Sequence, residues 1–146
     1  GGITWLERAA RLAERAAEAR QPGGLSREQH ASLYHDLAAL LARLPGADAS
    51  EAVRLYRASL KLAPARAQTQ ESCGLALAVA GRHGEAARHL RTAQRLGRDT
   101  AELWSGLGAA RFGQGRLREA DRCFQEALRL RPGWEDAREN LRAVQA

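Results

Sequence analysis

The histidines and cysteines of this sequence are the side chains best suited to metal binding or nucleophilic catalysis. His30 and His35 are five residues apart, and His83 and His89 are six apart. Neither spacing places two imidazoles on one helical face, as a pair of metal ligands requires. The two cysteines form neither a CxxC pair nor a disulfide framework. The sequence therefore predicts no metal site and no cofactor.

Two glycine-containing segments carry part of a catalytic pattern. The segment 106–111 has two glycines of a nucleotide-binding loop, but an arginine replaces the third and no strand is predicted before it. Ser105 lacks the upstream glycine of a nucleophile elbow, because Leu103 stands there. Cys73 lies at a position expected to be buried, which favours packing over nucleophilic attack. We therefore predict a protein that is not an enzyme.

The composition indicates a folded, basic protein. Of 146 residues, 45% are hydrophobic and 27% are charged, which is typical of a globular chain. Its 23 lysines and arginines outnumber 17 acidic residues, so the net charge is +6. Because there is no apolar run of roughly 18–20 residues and no signal-peptide pattern, we expect no membrane span and a cytoplasmic location. The absence of methionine predicts a piece of a longer protein.

Capping residues and Pro/Gly-containing turns divide the chain into helices. Ser26 with Gln29, and Asp48 with Glu51, have the spacing of a capping box, and Thr100 is a third N-cap. No segment alternates polar and apolar residues with a period of two, so no strand is expected. The predicted helices cover about 3–20, 27–44, 49–62, 67–80, 85–96, 101–112, 116–130 and 135–145.

A pattern of residues recurs in the second half of the chain with a period of 34. The later copy contains Trp104, Leu107-Gly108, Ala120, Phe124, Ala127 and Pro132. Counting back 34 residues gives Gln70, Cys73-Gly74, Ala86, Leu90, Ala93 and Arg98 at these places, and Leu77 at the place of Arg111. A fixed period of this length is typical of stacked helical hairpins, each too small to bury its apolar face alone.

These residues closely resemble the tetratricopeptide repeat, whose first helix carries W-x2-L-G-x2-Y and whose second carries A-x3-F-x2-A before a proline. The resemblance implies an all-α, right-handed superhelical solenoid of antiparallel helix pairs in a single domain. The units depart from the pattern at Arg111, Leu90 and Arg98, and by an insertion of two residues in the first unit. The implied parts are an N-terminal capping helix and loop, three repeat units and a C-terminal capping helix: 1–30, 31–66, 67–100, 101–134 and 135–146.

In this family the first helix of each unit lines a concave groove that binds peptides, and the resemblance implies the same role here. The corresponding residues are His35, Ala39, Gln68, Glu71, Leu75, Val79, Glu102, Ser105, Ala109 and Phe112. We therefore expect a scaffold or adaptor that binds a helix or extended peptide of another protein. Leu75, Val79 and Phe112 would supply apolar contacts, and Glu71 and Glu102 would select a positively charged ligand. Alternatively, the N-terminal helix or a neighbouring repeat covers this surface.

Members of the family that bind chaperones hold a C-terminal carboxylate with lysine, asparagine and arginine side chains. The corresponding positions here are His35, Ala39, Ser72, Glu102 and Gly106. None of them matches, and Glu102 reverses the sign of the charge. We therefore expect that a chaperone's C-terminal carboxylate is not the ligand.

The second helices carry a row of cations on the side opposite their buried positions, here called the basic ridge. Its members are Arg54, Arg57, Lys61, Arg88, Arg91, Arg95, Arg122 and Arg129. The ridge is either a solvated helix face or an electrostatic site for nucleic acid or an acidic partner. A further alternative is an accessory repeat region of a larger multidomain enzyme. An incomplete terminal repeat also predicts self-association through Ile3, Trp5 and Leu6.

Overall fold

The computed structural model describes Trp5, 7–9, 11–12, 14–15 and 24–146, and all regular structure in these residues is helical. This confirms the predicted all-α fold. The seven helices from residue 27 onward are α1 Arg27–Arg43, α2 Ala49–Leu62, α3 Ala67–Val79, α4 His83–Arg95, α5 Ala101–Gly113, α6 Leu117–Leu130 and α7 Glu135–Gln145. The described residues between 5 and 15 are also helical, whereas the rest of the predicted helix 3–20, including Ile3 and Leu6, lies outside the described residues. No helix in the described ranges is long and apolar enough to cross a bilayer.

Consecutive helices pack as hairpins, and the hairpins stack. Helix α1 packs on α2, α3 on α4, and α5 on α6, while α2–α3, α4–α5 and α6–α7 form the contacts between hairpins. The first helices also contact one another in order, α1 with α3 and α3 with α5. This arrangement is a solenoid, in which each hairpin completes the core of its neighbour.

The turns inside the second and third hairpins are the same structure, displaced by one repeat. Gly81 and Gly115 have φ of 77° and 75°, a conformation that favours glycine. After Gly81 the amide of Arg82 donates to the carbonyl of Leu77 at 2.9 Å, and after Gly115 the amide of Arg116 donates to that of Arg111 at the same distance. These 6→1 bonds are the Schellman closure of a helix C-terminus. The second helix of each of these hairpins therefore starts at the residue that follows this arginine.

Two of the three predicted N-caps have the predicted geometry. Ser26 and Gln29 form the reciprocal capping box, and the Thr100 side chain accepts a hydrogen bond from the amide of Leu103. Asp48 also caps its helix through the amide of Ser50. Glu51 binds Arg54 at 2.7 Å, so the predicted capping-box role of Glu51 is not the interaction observed.

Small residues permit the close approach of the two helices in a hairpin. A Cβ placed on Gly108 would lie within 2.9 Å of three ring atoms of Phe124, which is itself buried. Leu77, Leu90 and Leu103 are also fully buried, and the apolar cluster to which they belong runs through all three hairpins. The inward positions counted from the 34-residue period are therefore the positions that form the core.

Candidate functional site

The predicted groove residues belong to α1, α3 and α5, the first helices of the three hairpins, and together they are here called the concave face. Two of its large apolar side chains are exposed: Val79 is 84% exposed and Phe112 is 45% exposed. Leu75 is half-buried because its side chain packs over Gly106 where α3 meets α5. The remaining residues with some exposure are Ala39, Gln68, Glu102, Ser105 and Ala109.

Glu71 does not present a free charge on the concave face. The residue is only 4% exposed, and its carboxylate accepts hydrogen bonds from Arg98 Nε at 2.5 Å and from the Thr100 hydroxyl. Arg98 and Thr100 lie in the linker between the second and third hairpins. The prediction that Glu71 selects a positively charged ligand is therefore wrong, because the carboxylate already fastens this linker.

His35 has a similar role between the first and second hairpins. It is 6% exposed, its Nδ1 lies 2.9 Å from the Thr69 hydroxyl, and its ring meets Tyr56 edge-on at a centroid distance of 5.5 Å. Burial lowers the pKa of His35, against an opposing effect of Asp36. The expectation that His35 faces an open groove is wrong, because the imidazole is enclosed between α1 and α3.

Glu102 is the remaining acidic residue of the concave face, and it is half-buried with a partner. Its carboxylate lies 3.0 Å from Arg131, whose guanidinium stacks over Trp134 at 4.7 Å from the ring centroid. Both carboxylates of the concave face are therefore paired with arginines.

His83, which the sequence analysis considered only as a metal ligand, lies near Phe112 of this face. Its ring packs across Gly113, the neighbour of Phe112, and so connects the start of α4 to the end of α5. Among the described residues, its Nδ1 is the buried side-chain nitrogen that has no hydrogen-bond partner. Two features of the sequence could have indicated this contact: a glycine at the end of α5 and a histidine in the turn of the preceding repeat.

The basic ridge is not electrostatically uniform. Arg54 is paired with Glu51 and Glu14, Arg57 with Glu85, and Arg129 with Glu126. Five other members of the ridge have no carboxylate within ion-pairing distance in the part of the chain that the structure describes: Lys61, Arg88, Arg91, Arg95 and Arg122.

Two clefts open along this ridge. One, of about 330 Å³, lies along α2 and is lined by Arg54, Arg57 and Lys61, with Arg82 opposite. The other, here called the α4 cleft, measures about 530 Å³. It is lined by Gly84, Ala87, Arg88, Arg91, Gln94, Arg95, Arg111 and Gln114. The α4 cleft therefore combines three arginines that lack carboxylate partners with two amide side chains.

Arg111 forms the inner wall of the α4 cleft. It occupies the position where the repeat pattern has tyrosine, and it is only 7% exposed. Its Nε lies 3.0 Å from Glu119 on α6, and its Nη1 donates to Gln114 at 2.9 Å. The guanidinium is thus held at both ends and joins α5 to α6.

The two cysteines have the character of packing residues. Burial raises the pKa of Cys73 to about 11 and also raises the pKa of Cys123, although Arg111 and Arg91 oppose the second shift. Both thiols are therefore protonated near neutral pH. Among the described residues, no three His, Cys, Asp or Glu side chains come together as metal ligands.

Comparisons with known proteins agree with this geometry. Residues 101–134 match the family model described as the tetratricopeptide repeat. The tetratricopeptide-repeat domain of Arabidopsis OM64 is 19% identical with a TM-score of 0.75, over 82% of this chain and 97% of that one. The first such domain of Spaghetti (RPAP3), solved with the HSP90 peptide SRMEEVD, is 22% identical with a TM-score of 0.73, over 81% and 92%.

A third similar structure is YrrB, described as a repeat protein of this type with an unusual peptide-binding site. It is 22% identical with a TM-score of 0.71, over 92% of this chain and 65% of that one. A sequence search of curated proteins finds no match. Residues 101–134 therefore have the sequence of a tetratricopeptide repeat, and the described chain has the fold of tetratricopeptide-repeat domains.

Proposed function

We propose that this chain is a non-catalytic interaction module that binds a helix or extended segment of another protein on its concave face. The observation that carries the proposal is the exposure of Val79 and Phe112 at the ends of α3 and α5, two helices that contact each other. Exposed apolar side chains grouped in this way are typical of interaction sites. We further propose that the units 31–66, 67–100 and 101–134 act as one surface between the capping segments 1–30 and 135–146.

Similar proteins support a peptide as the ligand. The RPAP3 domain binds an HSP90 peptide, and YrrB has a peptide-binding site, as their structures are described. Both share the fold of this chain at 22% identity. On this chain, we propose that the segment lies along α3 and α5.

The chemistry of the concave face favours apolar anchoring over charge selection. His35 and Glu71 are buried in contacts with the linkers, and the Glu102 carboxylate is paired with Arg131. Burial of a large apolar side chain against Leu75, Val79 and Phe112 contributes about 1.5–3 kcal/mol for each anchor. We propose that one or two apolar anchors of the partner provide most of the affinity.

We also propose that this face is not a clamp for a terminal carboxylate. The positions that would form it are His35, Ala39, Ser72, Glu102 and Gly106, and none offers an exposed cation or amide. The peptide SRMEEVD with a free C-terminus and the same peptide with an amidated C-terminus should therefore bind equally or not at all. Tighter binding of the free form that is lost on mutating this face would contradict the proposal.

Substitution of Phe112 by glutamate tests the groove. We expect Phe112→Glu to abolish co-purification of the partner, because the charge would have to be desolvated in an apolar contact. Leu117→Glu is the matched control, since Leu117 is similarly exposed but begins α6. Helical content by circular dichroism should be the same for both variants. Equal recovery of the partner with wild type and Phe112→Glu would overturn the assignment.

A further inference from the structure

The α4 cleft is not used by the proposed concave-face interaction and has its own chemistry. Arg88, Arg91 and Arg95 follow one another at intervals of three and four residues, so they share one face of α4. All three are exposed, and all three line the same cleft. The rise of the helix separates the first from the last by about 10 Å.

The neighbouring acidic side chains do not neutralise these arginines. Glu85 on α4 is held by Arg57 and Arg82, and Glu119 on α6 by Arg111 and Arg116. Within the described residues, no carboxylate is part of the lining of the cleft. Its positive charge therefore faces solvent without a counter-charge, whereas Arg54 and Arg57 in the cleft of α2 are paired with Glu51 and Glu85.

We infer that the α4 cleft binds a short acidic segment of a partner protein, with carboxylates placed on successive turns or on every third residue. Arginine forms bidentate hydrogen bonds with carboxylates, and Gln94 and Gln114 add neutral donors along the same wall. Three guanidiniums spread over about 10 Å suit several separate anions. A single phosphate would require the arginines to converge on one point.

The features of a nucleic-acid site are missing from this surface. Within the described residues, the lining of the α4 cleft includes no aromatic side chain on which a base could stack. Ion pairs also interrupt the basic ridge at Arg54, Arg57 and Arg129, and three of the five ridge cations without a carboxylate partner in the described residues lie on the second hairpin. A long phosphate backbone would need a continuous basic path, whereas a short acidic peptide needs only the length of the α4 cleft.

Fluorescence anisotropy with synthetic probes tests this inference. The main probe is a short amidated peptide with glutamates at every third or fourth position, and the matched probe has glutamine at those positions. We expect the glutamate peptide alone to bind, with an affinity that falls about tenfold or more between low and physiological salt. The triple variant Arg88→Gln, Arg91→Gln, Arg95→Gln should weaken binding by about tenfold or more.

The triple variant Arg54→Gln, Arg57→Gln, Lys61→Gln is the matched control, because it removes the same number of cations from the equivalent positions of α2. It should retain nearly full binding of the glutamate peptide. Phe112→Glu should also retain it, so the cleft can be tested whether or not the concave face binds a partner. Equal weakening by both triple variants would overturn the inference, as would tighter binding of a peptide with one phosphoserine or of a single-stranded oligonucleotide.

Discussion

Helices α2 and α4 carry cations at equivalent positions of successive repeats, yet the two rows have different surroundings. On α2, Arg54 and Arg57 are bound by Glu51, Glu14 and Glu85. On α4, the three arginines have no such partner among the described residues and line the larger cleft. The repeat register therefore determines where a side chain points, whereas its ion-pair partners determine whether its charge is available to a ligand.

The largest changes in the free energy of unfolding are expected at buried positions, whose burial follows from the repeat register alone. Leu90 and Phe124 occupy the same position of the second and third repeats, and both are almost fully buried. We expect Phe124→Ala to lower the free energy of unfolding by about 3–5 kcal/mol and Leu90→Ala by about 2–5 kcal/mol. Urea unfolding followed by circular dichroism measures both. A loss below about 1 kcal/mol at either position would contradict the equivalence of the repeats.

The next test contrasts two acidic residues of the concave face. Glu71 is buried and bonded to Arg98 and Thr100, whereas Glu102 is half-exposed and paired with Arg131. We expect Glu71→Ala to cost about 1–3 kcal/mol of stability, because Thr100 and the partly buried Arg98 lose their acceptor. Glu102→Ala should cost less than about 1 kcal/mol. Equal unfolding midpoints for the two variants would show that the linker contact is not stabilising.

A pH series tests whether enclosed histidines weaken the stack in acid. Burial lowers the pKa of His35, and burial followed by Arg57 and Arg88 lowers that of His89. A histidine in the unfolded chain has its ordinary pKa of about 6.5. Between that pKa and the lowered pKa of the folded chain, the unfolded chain binds more protons, so the free energy of unfolding falls as the pH falls through this window. Urea midpoints at about pH 7.5 and pH 5.5 measure the fall. We expect His35→Gln to reduce the pH dependence of the urea midpoint. An unchanged pH dependence would show that His35 does not contribute to it.

The smallest effects come from the rows on α2 and α4 themselves. Arg54→Gln should lower the free energy of unfolding by up to about 1 kcal/mol, since it removes the ion pairs with Glu51 and Glu14. Arg91→Gln should leave stability within about 0.5 kcal/mol of wild type, or raise it slightly, because it relieves repulsion on α4. Thermal unfolding in low salt distinguishes the two. An equal loss of stability in both variants would contradict the proposed difference between the cations of α2 and those of α4.

Most of the fold could be predicted because it depends on short-range signals. The 34-residue period, the caps at Ser26 and Thr100, and the turn glycines placed the helix ends within about two residues. One difference is the start of α4, which lies at His83 because the turn after Gly81 closes within two residues. Small residues and the helical spacing of the apolar positions were enough to indicate which faces are buried.

The site could be predicted less completely because its partners are distant in the chain. His35 meets Thr69 across 34 residues, and Glu71 meets Arg98 across 27. Whether such side chains face a ligand or a linker depends on how far they reach once the hairpins have stacked. Arg111 carried a usable signal, because an arginine in an apolar register must find a carboxylate, and Glu119 on the paired helix is that carboxylate.

The bond between Glu71 and the segment that carries Arg98 has a consequence for recognition. A side chain of the upstream helix restrains the peptide that joins two hairpins, so the angle between them is set before any partner arrives. A surface whose curvature is already set loses little conformational entropy on association. Selectivity then follows from the shape of the incoming segment, and a partner that needs a wider surface must first break the contact at Glu71.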